Sequence, residues 1–164
     1  MSLLTPELKA RIGDEVAYRS PDELGRAAIR YFALAIGDDN PLYLDDKYAM
    51  DHGHPSVIAP PTLVCETNQF VPGPRDADGY LTQMFSLEVP GTRQIRGGNS
   101  YEFFRPVLPA DRITITWRLE DIMERTSSAG VEMLVVTSVA TYTNHDGEKL
   151  ARNTETIIYQ AGAE

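Results

Sequence analysis

The sequence predicts an α+β domain in which a curled antiparallel β-sheet wraps one apolar α-helix. Three observations carry that expectation. Apolar residues recur at i, i+3, i+4 spacing through the first half of the chain, as in Leu24, Ala27, Ala28, Tyr31, Phe32 and Ala35. The second half changes to long runs rich in β-branched and aromatic residues. Short turn-forming clusters separate those runs, so successive strands fold back on one another.

Each element has a local reason. Thr5 and Pro6 open a short helix, with proline at the first helical position. Residues 15–18 read as a short strand. Ser20 is a good N-cap, followed by Pro21 and by Glu23 three positions on, which predicts a helix starting there. Gly37 closes it. Residues 38–46 form a polar loop, and residues 47–52 one or two helical turns. Residues 58–61 lead into an apolar helix over 62–70, whose prolines sit harmlessly at its entry. This is the one helix left to cover the sheet. Residues 71–79 are a loop with two prolines and two glycines. Strands follow at 93–105, 112–125, 131–143 and 149–160. Turns at 109–111, 127–130 and 144–147 join them, the last with the Asp146-Gly147 hairpin signal. The expected sheet is a meander.

The composition narrows the function. A chain of 164 residues suits one domain, 1–164, with room for a core without covalent staples. A net charge of -9 excludes a general nucleic-acid binder. The single cysteine, Cys65, permits no internal disulfide and fits a cytoplasmic protein. No apolar run is long enough to span a membrane, and the first residues lack a signal-peptide pattern.

The chemistry-bearing stretch is YFALAIGDDNPLYLD, residues 31–45, followed by VIAPPTL, residues 57–63. Gly37, Asp38, Asn40, Pro41, Leu42 and Asp45 match a Gly-Asp-x-Asn-Pro-Leu-His-x-Asp pattern that follows a helix. Together with RGGNSYEFFRPVLPAD, residues 96–111, this resembles the MaoC-like hydratases and dehydratases. The resemblance covers nearly the whole chain and implies a hot-dog fold. Asn-Pro-Leu-Tyr, Ala-Pro-Pro-Thr and Gly-Gly-x-x-Tyr-Glu-Phe are more similar to the N-terminal half of two-module members than to their catalytic half.

Hydration of a 2-enoyl thioester needs a water deprotonated for attack and a proton delivered to the α-carbon, work that a carboxylate and an imidazole can share. It also needs a hydrogen-bond donor for the charge that develops on the thioester oxygen. The family supplies an Asp, a His and a backbone amide. This chain has Asp38, but Tyr43 at the His position, and a phenol is a poor base at neutral pH. Ala59-Pro60 stands where the family's His-Gly pair enters the helix, and Pro60 has no amide hydrogen.

The resemblance therefore implies a subunit of a 2-enoyl/3-hydroxyacyl-thioester hydratase or dehydratase, with a partner chain supplying the His, and leaves the isolated chain's activity open. The alternatives are a non-catalytic homodimer that binds acyl-coenzyme A and a hot-dog thioesterase. The candidate residues are Asp38 and Tyr43 for catalysis. Asn40, Pro60, Thr62, Arg96, Gly97 and Gly98 are the candidates for the substrate. No metal or cofactor is expected beyond the coenzyme A or acyl-carrier-protein thioester that serves as substrate. The expected partner is a second hot-dog subunit, identical or different, with no nucleic acid and no membrane.

Plainer roles stand beside these. Asp38 is a turn residue after a helix-ending glycine. Tyr43 in the plainer reading only packs its ring and bonds a loop carbonyl. His52 and His54 sit in a polar turn. The aspartates at 38, 39, 45, 46 and 51 read as a solvated acidic loop, without the ligand order of an EF-hand. Gly97 and Gly98 mark a bulge or a close approach, by a ligand or by a strand. Arg93, Arg96 and Arg105 meet coenzyme A phosphates or are surface charge. Cys65 reads as core. Acyl length and the choice between coenzyme A and carrier protein stay open.

Overall fold

A computed structural model describes residues 2–67, 71–73 and 87–162. Five strands form one antiparallel sheet in the order β1-β3-β4-β5-β2. They are β1 (Glu15–Arg19), β2 (Thr92–Phe103), β3 (Thr114–Thr126), β4 (Glu132–Thr143) and β5 (Lys149–Ala161). Among the described residues the sheet is not closed, and β1 and β2 are its edges.

Period-two patterning sets the register. Ile115, Trp117 and Leu119 of β3 are buried, and they face Tyr142, Ala140 and Ser138 of β4 across the ladder. The neighbouring β5 residues Ala151 and Asn153 are buried on the same face. Bulges between Arg96 and Gly98 and between Leu119 and Asp121 shift the register and bend the strands.

The expected meander holds for β3, β4 and β5 but not for β2. That strand pairs with β5, the last strand, and not with β3, the next one. The connection from β2 to β3 therefore crosses the sheet end and is no hairpin. Local turn signals at 109–111 are real, since Asp111 N–H bonds the carbonyl of Leu108. They do not reveal which strand lies alongside.

The helices are α1 (Pro6–Ala10), α2 (Arg26–Ala35), α3 (Pro41–Leu44), α4 (Asp46–Asp51) and α5 (Leu63–Glu66). Thr5 caps α1 through its hydroxyl. The predicted start of α2 at Ser20 is wrong: the helix begins at Arg26, after Gly25 at φ 76°. Tertiary bonds hold the preceding residues out of the helix. Ser20, Leu24 and Gly25 donate their N–H groups to Ile113, Asp111 and Pro109. Gly37 does end the helical stretch, at φ 70°. The stretch 38–46, expected as loop, contains α3. Of the expected helix over 62–70, Thr62 is the N-cap and Leu63–Glu66 are helical, while 68–70 lie outside the described residues. The same holds for 74–79 of the expected loop.

Two apolar clusters fill the sheet's covered face. One joins Leu24, Ile29, Ala59, Leu63 and Val64 to Trp117, Tyr142 and Leu150. The other joins Leu87 to Leu119, Ile122, Leu134, Val136 and Tyr159, with Leu4, Leu8 and Ile12 packed against it. Among the described residues no helix is long and apolar enough to cross a membrane.

Candidate functional site

The site is built by the turn that leaves α2. Gly37 reverses the chain, and the Asp38 carboxylate accepts the N–H of Asn40 at 3.1 Å. Asn40 caps α3 by accepting the N–H of Leu42 at 3.0 Å. Asp38 and Asn40 thus both have a local structural duty. Their second effect is to bracket Tyr43, one helical turn further on. Burial pushes the Tyr43 phenol above its ordinary range, and the Asp38 carboxylate pushes it further. A hydrogen bond from the Asn40 side chain works the other way. The phenol stays protonated and keeps its O–H at neutral pH.

Tyr43 lines a cleft of about 260 Å³ with Ile58, Ala59, Pro61, Phe103, Phe104, Arg105, Pro106 and Val107. Most of this lining is apolar. The cleft lies where the covered face of the sheet meets the segment between α4 and α5. That segment is tied down at both sides: Ile58 N–H bonds the carbonyl of Leu42 at 3.0 Å, and Ala59 N–H bonds that of Val107 at 2.8 Å. The helix entry therefore offers no free amide at residues 59–61. Ala59 has spent its N–H on Val107, and Pro60 and Pro61 have none.

The structure brings together Asp38, Asn40 and Tyr43, and it places the others elsewhere. Pro60 is fully buried, while its neighbour Pro61 lines the cleft. Thr62 is exposed at the α5 N-cap, outside the cleft. Arg96, Gly97 and Gly98 lie on β2 at the bulge and do not line it. A Cβ on Gly97 would sit 2.9 Å from Thr156 Cγ2 on β5, so a neighbouring strand accounts for that glycine. Arg96 lies 3.9 Å from Glu155, and Arg93 bonds Gln160. Arg105 reaches the cleft but is held by Asp111 and Glu148.

No histidine lines the cleft among the described residues. His52 stacks on Tyr48 in α4, its ring nitrogen 2.8 Å from the carbonyl of that tyrosine. Burial pushes the Cys65 thiol up to about 12, with a hydrogen bond involving Tyr142 acting against that shift. Such a thiol is no nucleophile at neutral pH. Among the described residues, no group of acidic, His and Cys side chains is arranged to hold a metal ion. Sequence reasoning missed Ile58, Phe103, Phe104 and Val107. The only available signal was the aromatic pair ahead of Arg105-Pro106.

An open five-stranded antiparallel sheet with few helices, carrying an Asp-x-Asn-Pro turn beside an apolar cleft, defines a hot-dog domain of the hydratase and dehydratase type. The model of the FAS1-like dehydratase domain region, a MaoC-like dehydratase region, matches residues 10–153, and the chain belongs to that family. A UPF0336 protein of Streptomyces coelicolor is 37% identical over 123 residues, covering 75% of this chain and 76% of the relative. A probable enoyl-CoA hydratase alpha subunit of Thermomonospora curvata is 27% identical over 139 residues, covering 81% of this chain and 44% of that relative. Among solved structures, the ChsH1-ChsH2 complex from Mycobacterium tuberculosis superposes with a TM-score of 0.75 at 23% identity, covering 96% of this chain and 90% of the other. The HadBC (3R-hydroxyacyl-ACP dehydratase) complex from the same organism gives 0.63 at 25% identity, covering 88% and 95%.

Proposed function

We propose that this chain is the pocket-forming subunit of an acyl-thioester hydratase or dehydratase, interconverting 2-enoyl and 3-hydroxyacyl thioesters of coenzyme A or acyl carrier protein. A second hot-dog chain supplies the imidazole. The observation that carries the reading is the cleft itself. It keeps the Asp38–Asn40 turn of a hydratase site but presents a protonated phenol in place of a base and no free amide at the helix entry. Among the described residues a water there has no imidazole to deprotonate it, and a developing oxyanion finds no free amide at residues 59–61. What remains is apolar shape, one hydroxyl donor and an arginine already held by Asp111 and Glu148, which suits an acyl chain. The names of the similar proteins, a hydratase alpha subunit and a dehydratase complex, support a shared assembly.

Crotonyl-coenzyme A hydration tests this, measured by loss of the enoyl absorbance. The chain alone gives no turnover. Turnover appears when a second short hot-dog chain bearing the Gly-Asp-x-Asn-Pro-x-His pattern is added. Tyr43→Phe in this chain then raises KM about fivefold, the worth of one hydrogen bond, with little change in kcat. Full activity of the chain alone, indifferent to Tyr43→Phe and Asp38→Asn, sinks the proposal. Tight acyl-coenzyme A binding without turnover in any mixture points instead to a non-catalytic binder. Release of free thiol identifies a thioesterase.

A further inference from the structure

A second cleft, of about 180 Å³, is lined by Arg19, Glu23, Ala110, Arg112 and His145. The ladder explains why these residues meet. Arg19, the last residue of β1, pairs with Thr114, two residues beyond Arg112. Thr114 pairs with Thr143 of β4, two residues before His145. Alternation places Arg19 and Arg112 on one face of the sheet, and His145, in the turn just past β4, lines the same cleft. It is the face opposite Ile115 and Tyr142, which are buried in the core, so this cleft is distinct from the one at Tyr43.

Its charge is unusual for this chain. Arg11, Arg26, Arg96, Arg105, Arg118 and Arg152 each have a carboxylate partner. Arg93 and Arg125 donate to Gln160 and Met123. Arg19, Arg112 and, outside the cleft, Arg30 make no ion pair and donate no hydrogen bond among the described residues, and of these Arg19 and Arg112 share one concave wall. In a protein of net charge -9, two unspent guanidiniums facing one space create a local positive well. His145 adds an N–H donor. Two carboxylates oppose this: Glu23 in the wall, and Asp146, whose Oδ2 lies 3.6 Å from His145 Nε2.

We infer that this cleft binds a phosphate monoester. The guanidinium fork matches phosphate oxygens, and two forks match a doubly charged tetrahedral group. The volume fits the ligand class. At ~30 Å³ per water, the space of about 180 Å³ accommodates a phosphate and the start of its ester group. The inference stands apart from the proposed hydratase role, since it uses other residues on the other face.

The test titrates the full chain at low salt with inorganic phosphate, phosphopantetheine and adenosine 3′,5′-bisphosphate. Binding is read from NMR shifts of the arginine Nε–H groups and of the amides at 19, 112 and 145. Saturable shifts are expected, weakening as salt is raised. Arg19→Ala and Arg112→Ala each weaken binding about tenfold, the loss of one charge-assisted hydrogen bond. Glu23→Gln tightens it. Arg30→Ala, which removes an exposed arginine outside the cleft, has no such effect. All four side chains are exposed, so the fold tolerates the changes. The ester that binds best identifies the source of the phosphate, and equal binding of all three assigns the site to free phosphate. The inference is overturned by three ligands that give no saturable shift, by affinity that ignores both cleft arginines, or by an Arg30→Ala loss as large as theirs.

Discussion

Asp111 decides more of this molecule than its place in a turn suggests. It is 3% exposed, and it receives Arg105 at 2.9 Å, the N–H of Leu108 at 2.8 Å and the Asn144 amide at 3.2 Å. Burial by itself would raise its pKa, but those donors override burial and hold the carboxyl below its ordinary value. A depressed carboxyl stabilises the fold above its unfolded pKa of about 3.9 and loses that contribution as pH falls through its folded value. Asp111→Asn is therefore expected to cost about 3 kcal/mol at neutral pH, the low end for breaking a buried pair, because Arg105 keeps Glu148. The variant also flattens the acid limb of stability. Urea midpoints between about pH 6 and about pH 2 check both effects, and an unchanged acid limb refutes the assignment. Residue-scale legibility divides along this line. Asp38, Asn40 and Tyr43 were readable because a local motif places them together. The bond between Arg105 and Asp111 was not, since the two stand six positions apart across irregular chain and their meeting depends on the sheet end. Arg105 read as surface charge or a phosphate ligand for the same reason.

At the level of elements, the strands were legible to within a residue or two because burial alternates along β3 and β4. The position of β2 was not. It follows from pairing with residues 48 to 69 positions later, which no local pattern encodes. Helix α2 failed in the opposite way. Ser20, Pro21 and Glu23 form a sound local start signal, yet backbone bonds to residues 109–113 keep that segment out of the helix. Tertiary pairing outweighed a cap worth about 1 kcal/mol. The β2 bulge permits a direct test of strand packing. A methyl at Gly97 would meet Thr156 Cγ2 at 2.9 Å and its carbonyl oxygen at 3.1 Å. Gly97→Ala should cost about 1–3 kcal/mol through overpacking. In a Thr156→Ser background, which removes the methyl, the cost should shrink, and thermal melts of the four proteins give the coupling. Equal costs in both backgrounds would mean that the close approach to Thr156 does not explain the glycine.

Among the described residues, one long edge of the sheet is left unfinished. β2 is an edge strand of twelve residues, exposed along nearly its full length. Its Tyr101 and Phe103 stack on each other at 6.1 Å on the side that the helices cover elsewhere, and they remain 41% and 44% exposed. Helix α2 exposes Tyr31, Leu34 and Ile36 as well. Natural edges of this length are normally short, charged or covered, because unpaired N–H and C=O groups invite another strand. The opposite edge, β1, has five residues and alternates in burial, so it offers far less. These features argue that β2 meets a second hot-dog chain, and that the Tyr43 cleft, which shares Phe103, is completed there. Sedimentation should give a dimer for the chain alone and a one-to-one complex when the imidazole-bearing partner is added. Phe103→Lys should shift both toward monomer while the circular dichroism spectrum stays the same. Hydrogen exchange supplies the second measurement, since outward-facing β2 amides become protected only if another strand pairs with them. A monomer in both samples, with those amides exchanging freely, would mean that the edge has no partner and that the cleft is already whole.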